Sequence, residues 1–170
     1  MMTSAAPDMD SVRAAPTTNC HMVAIPHPGR GHINSMMNFC KMLASKKPDI
    51  LVTYVVTEEW LGFIGSDPKP ENIRFASIPN VVPSELVRAA DVSKFVEAAI
   101  TKMEAPIERL LNRLEPLPTV IVVDMWLQWA VGIGRCRNIP VAMYWPMSAS
   151  IFTVIQHFHL FAQNGHFRQQ

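Results

Sequence analysis

Residues 21–34 read HMVAIPHPGRGHIN, a stretch with the form of a strand, a tight loop and the start of a helix. Residues 21–25 are a short apolar run of the length of a buried strand. The loop at residues 26–31 holds two glycines, which let the backbone turn tightly and approach a ligand closely. Apolar residues then recur at helical spacing over residues 34–46. The stretch therefore predicts a strand–loop–helix unit whose loop can face a ligand.

The alternation of strands and helices continues along the chain. Further strands are predicted at residues 50–56, 73–78, 120–123 and 141–145. Further helices are predicted after Thr57 and at residues 93–113, 126–137 and 148–164. Pro106 should kink or split the helix at residues 93–113, and a loop is predicted at residues 79–91. Strands that are apolar throughout are typical of a parallel sheet covered on both faces. The predicted fold class is α/β, a doubly wound parallel sheet, and the common strand order 3-2-1-4-5 would place a ligand crevice between the first and fourth strands.

Composition excludes several classes of protein. The length of 170 residues fits one domain, and a hydrophobic content of 49% excludes disorder throughout. A formal net charge of +1 without a run of like charges gives no electrostatic footprint for a nucleic-acid partner. The 3 cysteines show no CxxC spacing, which indicates neither a disulfide framework nor a zinc site. Reduced thiols in a cytoplasmic protein are the simplest interpretation.

The two ends of the chain differ in character. Residues 1–19 are rich in Ser, Ala, Pro and Thr and lack the basic start and apolar core of a secretory signal, so we predict a disordered leader followed by one domain over residues 20–170. Residues 138–167 carry no Asp, Glu, Lys or Arg, which leaves a membrane span as an alternative. Pro140 and Pro146 interrupt this segment, and a strand followed by a helix is the favoured interpretation.

His32 is the first candidate for chemistry, because it falls at the predicted start of the helix after the Gly-rich loop. The helix dipole there disfavours a charged imidazolium, so the ring is expected to stay neutral and able to accept a proton. The alternative is a turn with a helix-capping histidine. Asn34 stands where the third glycine of the GxGxxG fingerprint belongs, and no phosphate-binding P-loop sequence occurs.

Asp124 is the second candidate, since it directly follows the predicted strand at residues 120–123. A carboxylate at that position is costly unless it is paired or belongs to a site. The alternative is an ordinary N-cap for the next helix. The carboxyl ends of neighbouring parallel strands bring His32 and Asp124 within reach of each other, and a carboxylate bonded to imidazole makes a general base with an orienting acid. Neither loop offers a Ser or Cys nucleophile, so the pair would activate a group on the substrate.

The other histidines are weaker candidates. His157 and His159 are two positions apart on a predicted helix and point to different faces, so they make a poor metal pair. His27 lies between two prolines and is interpreted as a loop residue that could line a ligand. No metal site is predicted.

Residues 21–37 resemble the amino-terminal signature of plant family 1 UDP-glycosyltransferases. Residues 119–150 resemble the later part of the same domain, with Val123-Asp124, Asn138-Ile139-Pro140 and the sequence WPMSA at residues 145–149. The similarity covers residues 20–167. It implies a GT-B architecture, in which the active site lies between two Rossmann-like domains and this chain matches the amino-terminal, acceptor-binding one.

The resemblance also implies the chemistry. It makes His32 the general base and Asp124 its supporting acid. It makes Trp126 a wall of the acceptor pocket and Ser148 a contact to the donor phosphates. The implied reaction is inverting transfer of a sugar from a UDP-sugar to a hydroxyl of a small plant metabolite, such as a flavonoid, another phenolic or a terpenoid. The UDP-sugar is a co-substrate, and neither a metal nor another cofactor is expected.

The family's donor-binding domain has no counterpart in this sequence, and the resemblance therefore predicts an incomplete amino-terminal domain. The alternative function is a catalytically silent fragment that binds an acceptor or another protein. A nicotinamide oxidoreductase is disfavoured, because such an enzyme needs an acidic residue after the second strand to bind the ribose. Glu58 and Glu59 are candidates for that residue, but they serve equally well as first-turn residues of a helix. Loss of later strands would leave residues 141–145 as an exposed sheet edge, and we expect poor solubility.

Overall fold

The structure is a computed structural model that describes residues 20–166, so the predicted leader at residues 1–19 and the tail at residues 167–170 lie outside the described part. The strands are β1 (Cys20–Ile25), β2 (Ile50–Thr57), β3 (Ile73–Ile78), β4 (Val120–Asp124) and β5 (Val141–Tyr144). The helices are α1 (Arg30–Lys46), α2 (Glu58–Ile64), α3 (Val92–Lys102), α4 (Glu104–Leu111), α5 (Trp129–Arg137), α6 (Ala149–Gln156) and α7 (Phe158–Gln163), with a 3-10 helix at Glu85–Ala90.

All five strands are parallel, which confirms the predicted fold class, and they lie in the order β3-β2-β1-β4-β5, the common order considered above. β1 lies at the centre and pairs with β2 on one side and with β4 on the other. The connection from β3 to β4 crosses to the other side of β1, so the strand order reverses beside β1. A crevice opens at such a reversal, beyond the carboxyl ends of the two strands.

Helices cover both faces of the sheet, and successive strand residues point to opposite sides. One core cluster contains Val23 and Ile25 of β1 together with side chains of α3, α4 and α5. The other contains Met22 and Ala24 of β1 together with side chains of α1 and α2. This two-sided burial explains why the strands read as continuous apolar runs.

The predicted long helix at residues 93–113 is split, and Pro106 explains where. α3 ends at Lys102 and α4 begins at Glu104. Proline has no N–H to bond the carbonyl four residues earlier, and its ring clashes with that carbonyl, which here belongs to Lys102. Pro106 therefore sits in the first turn of α4, where the missing N–H has no helical partner to lose.

Other predicted boundaries were wrong. α1 begins four residues before the predicted start at residue 34, and α5 begins three residues after the predicted start at residue 126. The predicted loop at residues 79–91 contains the 3-10 helix, which Ser84 caps by accepting a hydrogen bond from the Leu86 amide. The predicted helix at residues 148–164 is two helices, because His157 leaves the helical conformation with φ −108° and ψ 17°.

β5 lies at an edge of the sheet, and α6 and α7 are exposed over nearly their whole length. The exposed large apolar side chains of this part are Met143, Ile151, Phe152, Val154, Ile155, Phe158 and Leu160. The predicted edge at residues 141–145 is thus present. No helix within residues 20–166 combines the length and the apolar character that crossing a membrane requires.

Candidate active site

The pairing of β1 with β4 brings two loops together at the carboxyl edge of the sheet. Ile25, the last residue of β1, is in register with Val123 of β4. Asp124 follows as the last residue of β4, and the loop after β1 leads directly into α1, whose first turn contains His32. The pairing of β1 with β4 therefore brings together two side chains that are 92 positions apart in the sequence.

His32 and Asp124 are joined by a hydrogen bond of 2.7 Å between Nδ1 and Oδ2. The Asp124 side chain is fully buried, whereas the His32 side chain is 25% exposed. An ionised carboxylate only accepts hydrogen bonds, so Nδ1–H of His32 is the donor, and in the neutral ring the lone pair is on Nε2. The structure thus brings together the two side chains that the sequence predicted to meet.

Asp124 is not the N-cap of α5, contrary to the alternative interpretation, since that helix starts at Trp129 and its N-cap is Gln128. Its second oxygen, Oδ1, instead accepts a hydrogen bond of 3.1 Å from the Trp126 amide. Its backbone carbonyl accepts from the Leu127 amide at 2.9 Å. These bonds close a turn between β4 and α5 and fix the carboxylate beneath His32.

Three hydrogen bonds hold the loop after β1 and the start of α1 in place. The indole Nε1–H of Trp60 donates to the Pro28 carbonyl at 3.0 Å. The hydroxyl of Tyr54 donates to the Ile33 carbonyl at 2.6 Å. On the other side, the Ser35 and Tyr144 hydroxyls are 2.8 Å apart. Side chains of β2, α2 and β5 thus position the loop after β1 and the first turns of α1, which carry His32.

A cavity of about 450 Å³ opens beside the pair. Trp126, predicted as an acceptor-pocket residue, is one of its walls and is 41% exposed. The wall is apolar apart from two histidines and one arginine. The lining residues are His27, His32, Arg88, Ala89, Val92, Phe95, Val96, Trp126 and Met147.

His27 lies in this cavity wall and is only 6% exposed. Its ring centroid is 5.0 Å from that of His32 and 5.8 Å from that of Phe95. Burial, with further contributions from the charges of His32 and Arg88, lowers the pKa of His27 to about 4, although Asp124 acts in the opposite direction. His27 is therefore neutral at physiological pH, and the sequence had suggested no more than that it could line a ligand.

Arg88 and Phe95 were missed as cavity residues. Arg88 falls in the segment predicted to be a loop, and nothing in its sequence neighbourhood indicates a site. Phe95 lies near the start of α3 and is buried. The guanidinium of Arg88 packs on the Phe95 ring at 5.7 Å from its centroid.

Ser148 does not line the cavity, although its neighbour Met147 does. It is exposed and acts as the N-cap of α6, where its hydroxyl accepts a hydrogen bond of 3.3 Å from the Ile151 amide. Its predicted contact with donor phosphates stays a prediction. Within residues 20–166, no group of three or more His, Cys, Asp or Glu side chains is placed to hold a metal ion.

No protein-family model matches the chain. Among curated proteins, it is 52% identical over 159 residues to UDP-glycosyltransferase 87A2 of Arabidopsis thaliana, which is 93% of this chain and 35% of that protein. It is 54% identical over 143 residues to UDP-glycosyltransferase 87A1 of the same plant, which is 84% of this chain and 32% of that protein. The chain thus spans about a third of the length of the curated relatives it matches.

Solved structures show the same fold. The chain superposes on a UDP-glucose: anthocyanidin 3-O-glucosyltransferase in complex with UDP with a TM-score of 0.69, at 18% identity, covering 90% of this chain and 35% of that one. It superposes on Os79 from O. sativa, in complex with U2F and trichothecene, with a TM-score of 0.67, at 20% identity, covering 84% and 36% of the two chains.

The parallel sheet and its strand order define the fold class as Rossmann-like, of the GT-B type. Sequence identity above 50% then relates the chain to one group of proteins with this fold. Over most of its length, the chain matches about a third of the length of these plant UDP-glycosyltransferases.

Proposed function

We propose that residues 20–170 form the acceptor-binding domain of an inverting UDP-glycosyltransferase whose acceptors are small hydroxylated plant metabolites, such as flavonoids, other phenolics or terpenoids. The observation that carries this proposal is the 2.7 Å hydrogen bond between His32 and Asp124 at the mouth of a largely apolar cavity. An apolar cavity with a few convergent polar groups suits an aromatic or terpenoid body with a reactive hydroxyl.

In the proposed reaction, Nε2 of His32 removes the proton of the acceptor hydroxyl as that oxygen attacks the anomeric carbon of the UDP-sugar. The new C–O bond forms on one face of the sugar while the bond to UDP breaks on the other. UDP leaves with the bonding electron pair, so the anomeric configuration is inverted. Asp124 keeps Nδ1 protonated and stabilises the imidazolium that forms.

Trp126 supplies an apolar wall for the acceptor, in line with its place in the cavity. Ser148, on the loop that also carries Met147, is proposed to contact the donor phosphates. The UDP-sugar is a co-substrate in this proposal, and neither a metal nor a prosthetic group takes part. We also propose a cytoplasmic location, which suits the free thiols of Cys20, Cys40 and Cys136.

A second candidate is a catalytically silent module that binds acceptors or another protein. It is favoured because residues 20–166 form one α/β unit, which corresponds to about a third of the curated relatives. Transfer requires both reactants to be held in line, and an acceptor-binding domain holds only one of them.

The two candidates are separated by a product assay on the 170-residue chain. The chain is incubated with UDP-glucose and a panel of phenolic acceptors, and hexose-bearing products are measured by mass spectrometry. The first candidate predicts product with the unchanged chain and none with His32→Ala, whereas the second predicts none with either. We expect a rate at least about 100-fold lower with Asp124→Asn, because the amide no longer fixes the tautomer of His32.

His159→Ala is the matched control, since it removes an exposed histidine of α7 that is not among the cavity residues, and it should leave the rate unchanged. Saturable acceptor binding without product would favour the silent module. Product that persists in His32→Ala would reject the proposed base.

A further inference from the structure

Glu58 and Glu59 begin α2 directly after β2, and the structure separates their roles. Glu58 is exposed, whereas both carboxylate oxygens of Glu59 accept hydrogen bonds from the start of the 3-10 helix. Oε1 accepts from the Ser84 hydroxyl at 2.5 Å, and Oε2 accepts from the Glu85 amide at 3.0 Å. The Glu59 carboxylate is therefore bound within the chain and is not free to bind a ribose, as an oxidoreductase would require.

The segment that leads into the 3-10 helix is tied to the same residue. The side-chain oxygen of Asn80 accepts a hydrogen bond of 2.8 Å from the Glu59 amide. The Ser84 hydroxyl that donates to Glu59 also accepts from the Leu86 amide at 3.2 Å, as the N-cap of the 3-10 helix. Hydrogen bonds to an ionised carboxylate are stronger than those between neutral groups, whereas the internal bonds of a 3-10 helix have poor geometry. Glu59 is therefore the main anchor for the start of this helix.

The 3-10 helix carries Arg88 into the wall of the candidate active site. Nη2 of Arg88 forms an ion pair of 3.1 Å with Oε1 of Glu85, the residue whose amide donates to Glu59. The guanidinium packs on the Phe95 ring, at 5.7 Å from its centroid. A Cβ on Gly29 would lie 2.7 Å from Nη1, so the guanidinium lies directly against the loop between β1 and α1.

The position of Arg88 affects the charge of the cavity wall beside the candidate base. Burial and the charges of His32 and Arg88 lower the pKa of His27 to about 4, whereas Asp124 raises it. The His27 ring centroid is 5.0 Å from that of His32. If Arg88 moved away, the wall would lose a cation and His27 would lose one of the groups that keep it neutral.

We propose that Glu59 is a positioning residue of the candidate active site, which acts through Arg88 and does not itself line the cavity. Its carboxylate holds Ser84 and Glu85, and the 3-10 helix then places the guanidinium against Phe95 and the loop before His32. The inference rests on the proposed function only in treating the cavity as an active site. Its test requires no product.

The position of Arg88 is measured by NMR from the Nε–H signal of its guanidinium, because protons near the face of an aromatic ring resonate at shifted frequencies. Arg88→Lys identifies this signal by its loss. Gly29→Ala supplies the signal of a displaced guanidinium, since the added Cβ would overlap Nη1. Gly29 has φ −117° and ψ 144°, which alanine also adopts, so this substitution moves the arginine without straining the loop.

Glu59→Ala removes both hydrogen bonds, and we expect the Arg88 signal to move most of the way to its position in Gly29→Ala. Glu59→Gln should keep the signal near its original position, because the amide can accept from the Glu85 amide and donate to the Ser84 hydroxyl. Glu58→Ala is the matched control. It removes the same charge from an exposed position in the same turn of α2 and should leave the signal in place.

A second measurement follows the protonation of His27 through its imidazole NMR signals, at a pH at which all the variants are folded. The proton affinity of His27 should rise at least about twofold in Glu59→Ala, because the Arg88 cation withdraws. The direct effect of losing an acidic side chain has the opposite sign, so Glu58→Ala should show no rise. In an Arg88→Gln background, Glu59→Ala should cause a smaller rise than it does beside Arg88.

The inference would be overturned by an Arg88 signal that stays in place in Glu59→Ala, or that moves as far in Glu58→Ala or Glu59→Gln. An equal rise in the proton affinity of His27 with and without Arg88 would also overturn it. If Glu59→Ala does not fold, Ser84→Ala takes its place. This variant removes the bond to Oε1 alone and should move the signal part of the way, and an unmoved signal would count against the inference.

The outcomes for Glu59 and for the proposed function are separate. His32-dependent product together with an unmoved Arg88 signal in Glu59→Ala would reject the positioning role and keep the transfer reaction. A displaced Arg88 signal in a chain that forms no product would keep the positioning role and reject transfer by this chain.

Discussion

His21 is buried at the start of β1. It takes part in a series of hydrogen bonds in which each donor and each acceptor can be assigned. The Pro116 carbonyl, at 2.6 Å, can only accept, so Nδ1–H of His21 donates to it. Nε2 then accepts from the Thr53 hydroxyl at 2.7 Å. The Thr53 oxygen in turn accepts from Nε of Arg74 at 2.8 Å. A second proton on His21 would leave the Thr53 hydroxyl without an acceptor in this series of hydrogen bonds. Burial, together with the charge of Arg74, lowers the pKa of the His21 imidazole.

Acid should destabilise the domain through His21 and His27, since burial lowers the pKa of both imidazoles. In the unfolded chain an imidazole binds a proton near pH 6.5, whereas folded His27 binds one only near pH 4. The stability that His27 contributes is therefore complete above about pH 6.5 and is lost as the pH falls toward 4. We expect about 2 kcal/mol of this loss by pH 5, measured as the free energy of unfolding in urea at pH 7 and pH 5.

His27→Phe keeps an aromatic ring against Phe95 but cannot titrate, so it should remove that part of the pH dependence. His157→Phe alters an exposed histidine and should leave the pH dependence as it is. An unchanged difference between pH 7 and pH 5 in His27→Phe would show that this imidazole does not carry the effect.

The residues of the candidate site differ in how far sequence predicts them. His32 and Asp124 follow strands directly, and a parallel sheet brings the ends of neighbouring strands together whatever the intervening sequence. Arg88 and Phe95 reach the cavity through the packing of the 3-10 helix and α3, which no periodic pattern specifies. The contact between His32 and Asp124 was therefore predictable, whereas the positions of Arg88 and Phe95 in the cavity wall were not.

Strands were predicted more accurately than helix ends. β1, β2 and β4 are buried runs with little freedom in their bounds, and each of the five predicted strands overlaps an observed one. Helix ends depend on local hydrogen bonds instead. Asp124 engages the Trp126 and Leu127 amides in a turn, which delays α5 to Trp129. Such competition between a side chain and the helix is not visible in apolar spacing.

α5 packs closely on the start of β5 at Gly134. A Cβ there would overlap Cγ2 of Val141 and lie 2.7 Å from the Ile139 carbonyl oxygen. Gly132, in the same helix, is exposed, and a Cβ added to it would have no neighbouring atom within 4 Å. Gly132 and Gly134 therefore lie in the same helix but differ in how closely other atoms surround them.

Gly134→Ala should destabilise the domain by about 1–3 kcal/mol, since the backbone carbonyl of Ile139 cannot move aside without shifting the approach to β5. Gly132→Ala should instead stabilise it by about 0.5–1 kcal/mol, because alanine has the higher helix propensity and no neighbour is disturbed. Urea unfolding of both variants measures the difference. Equal effects of the two substitutions would contradict the close approach of α5 to β5.

The two edges of the sheet differ in how much of each edge strand is buried. β3, at one edge, has buried residues at both ends, whereas β5, at the other, exposes Ala142 and Met143. α6 and α7 extend this exposed surface with the apolar side chains described above. An exposed strand edge next to apolar helices favours association between molecules.

We expect the 170-residue chain to associate as its concentration rises, measured as weight-average mass by light scattering after size-exclusion chromatography. Ile155→Glu places a charge on the exposed face of α6 and should reduce the association. Val131→Glu makes the same change on α5, outside this surface, and should have little effect. A constant monomeric mass at every concentration would refute the expectation.

The hydrogen bond between His32 and Asp124 also marks a stage of folding. It joins residues 92 positions apart and can form only once β1 and β4 have paired. A proton held between imidazole and carboxylate is strongly deshielded and resonates apart from the amide signals. During refolding, that single resonance would record when the centre of the sheet closes and when His32 and Asp124 first come into contact.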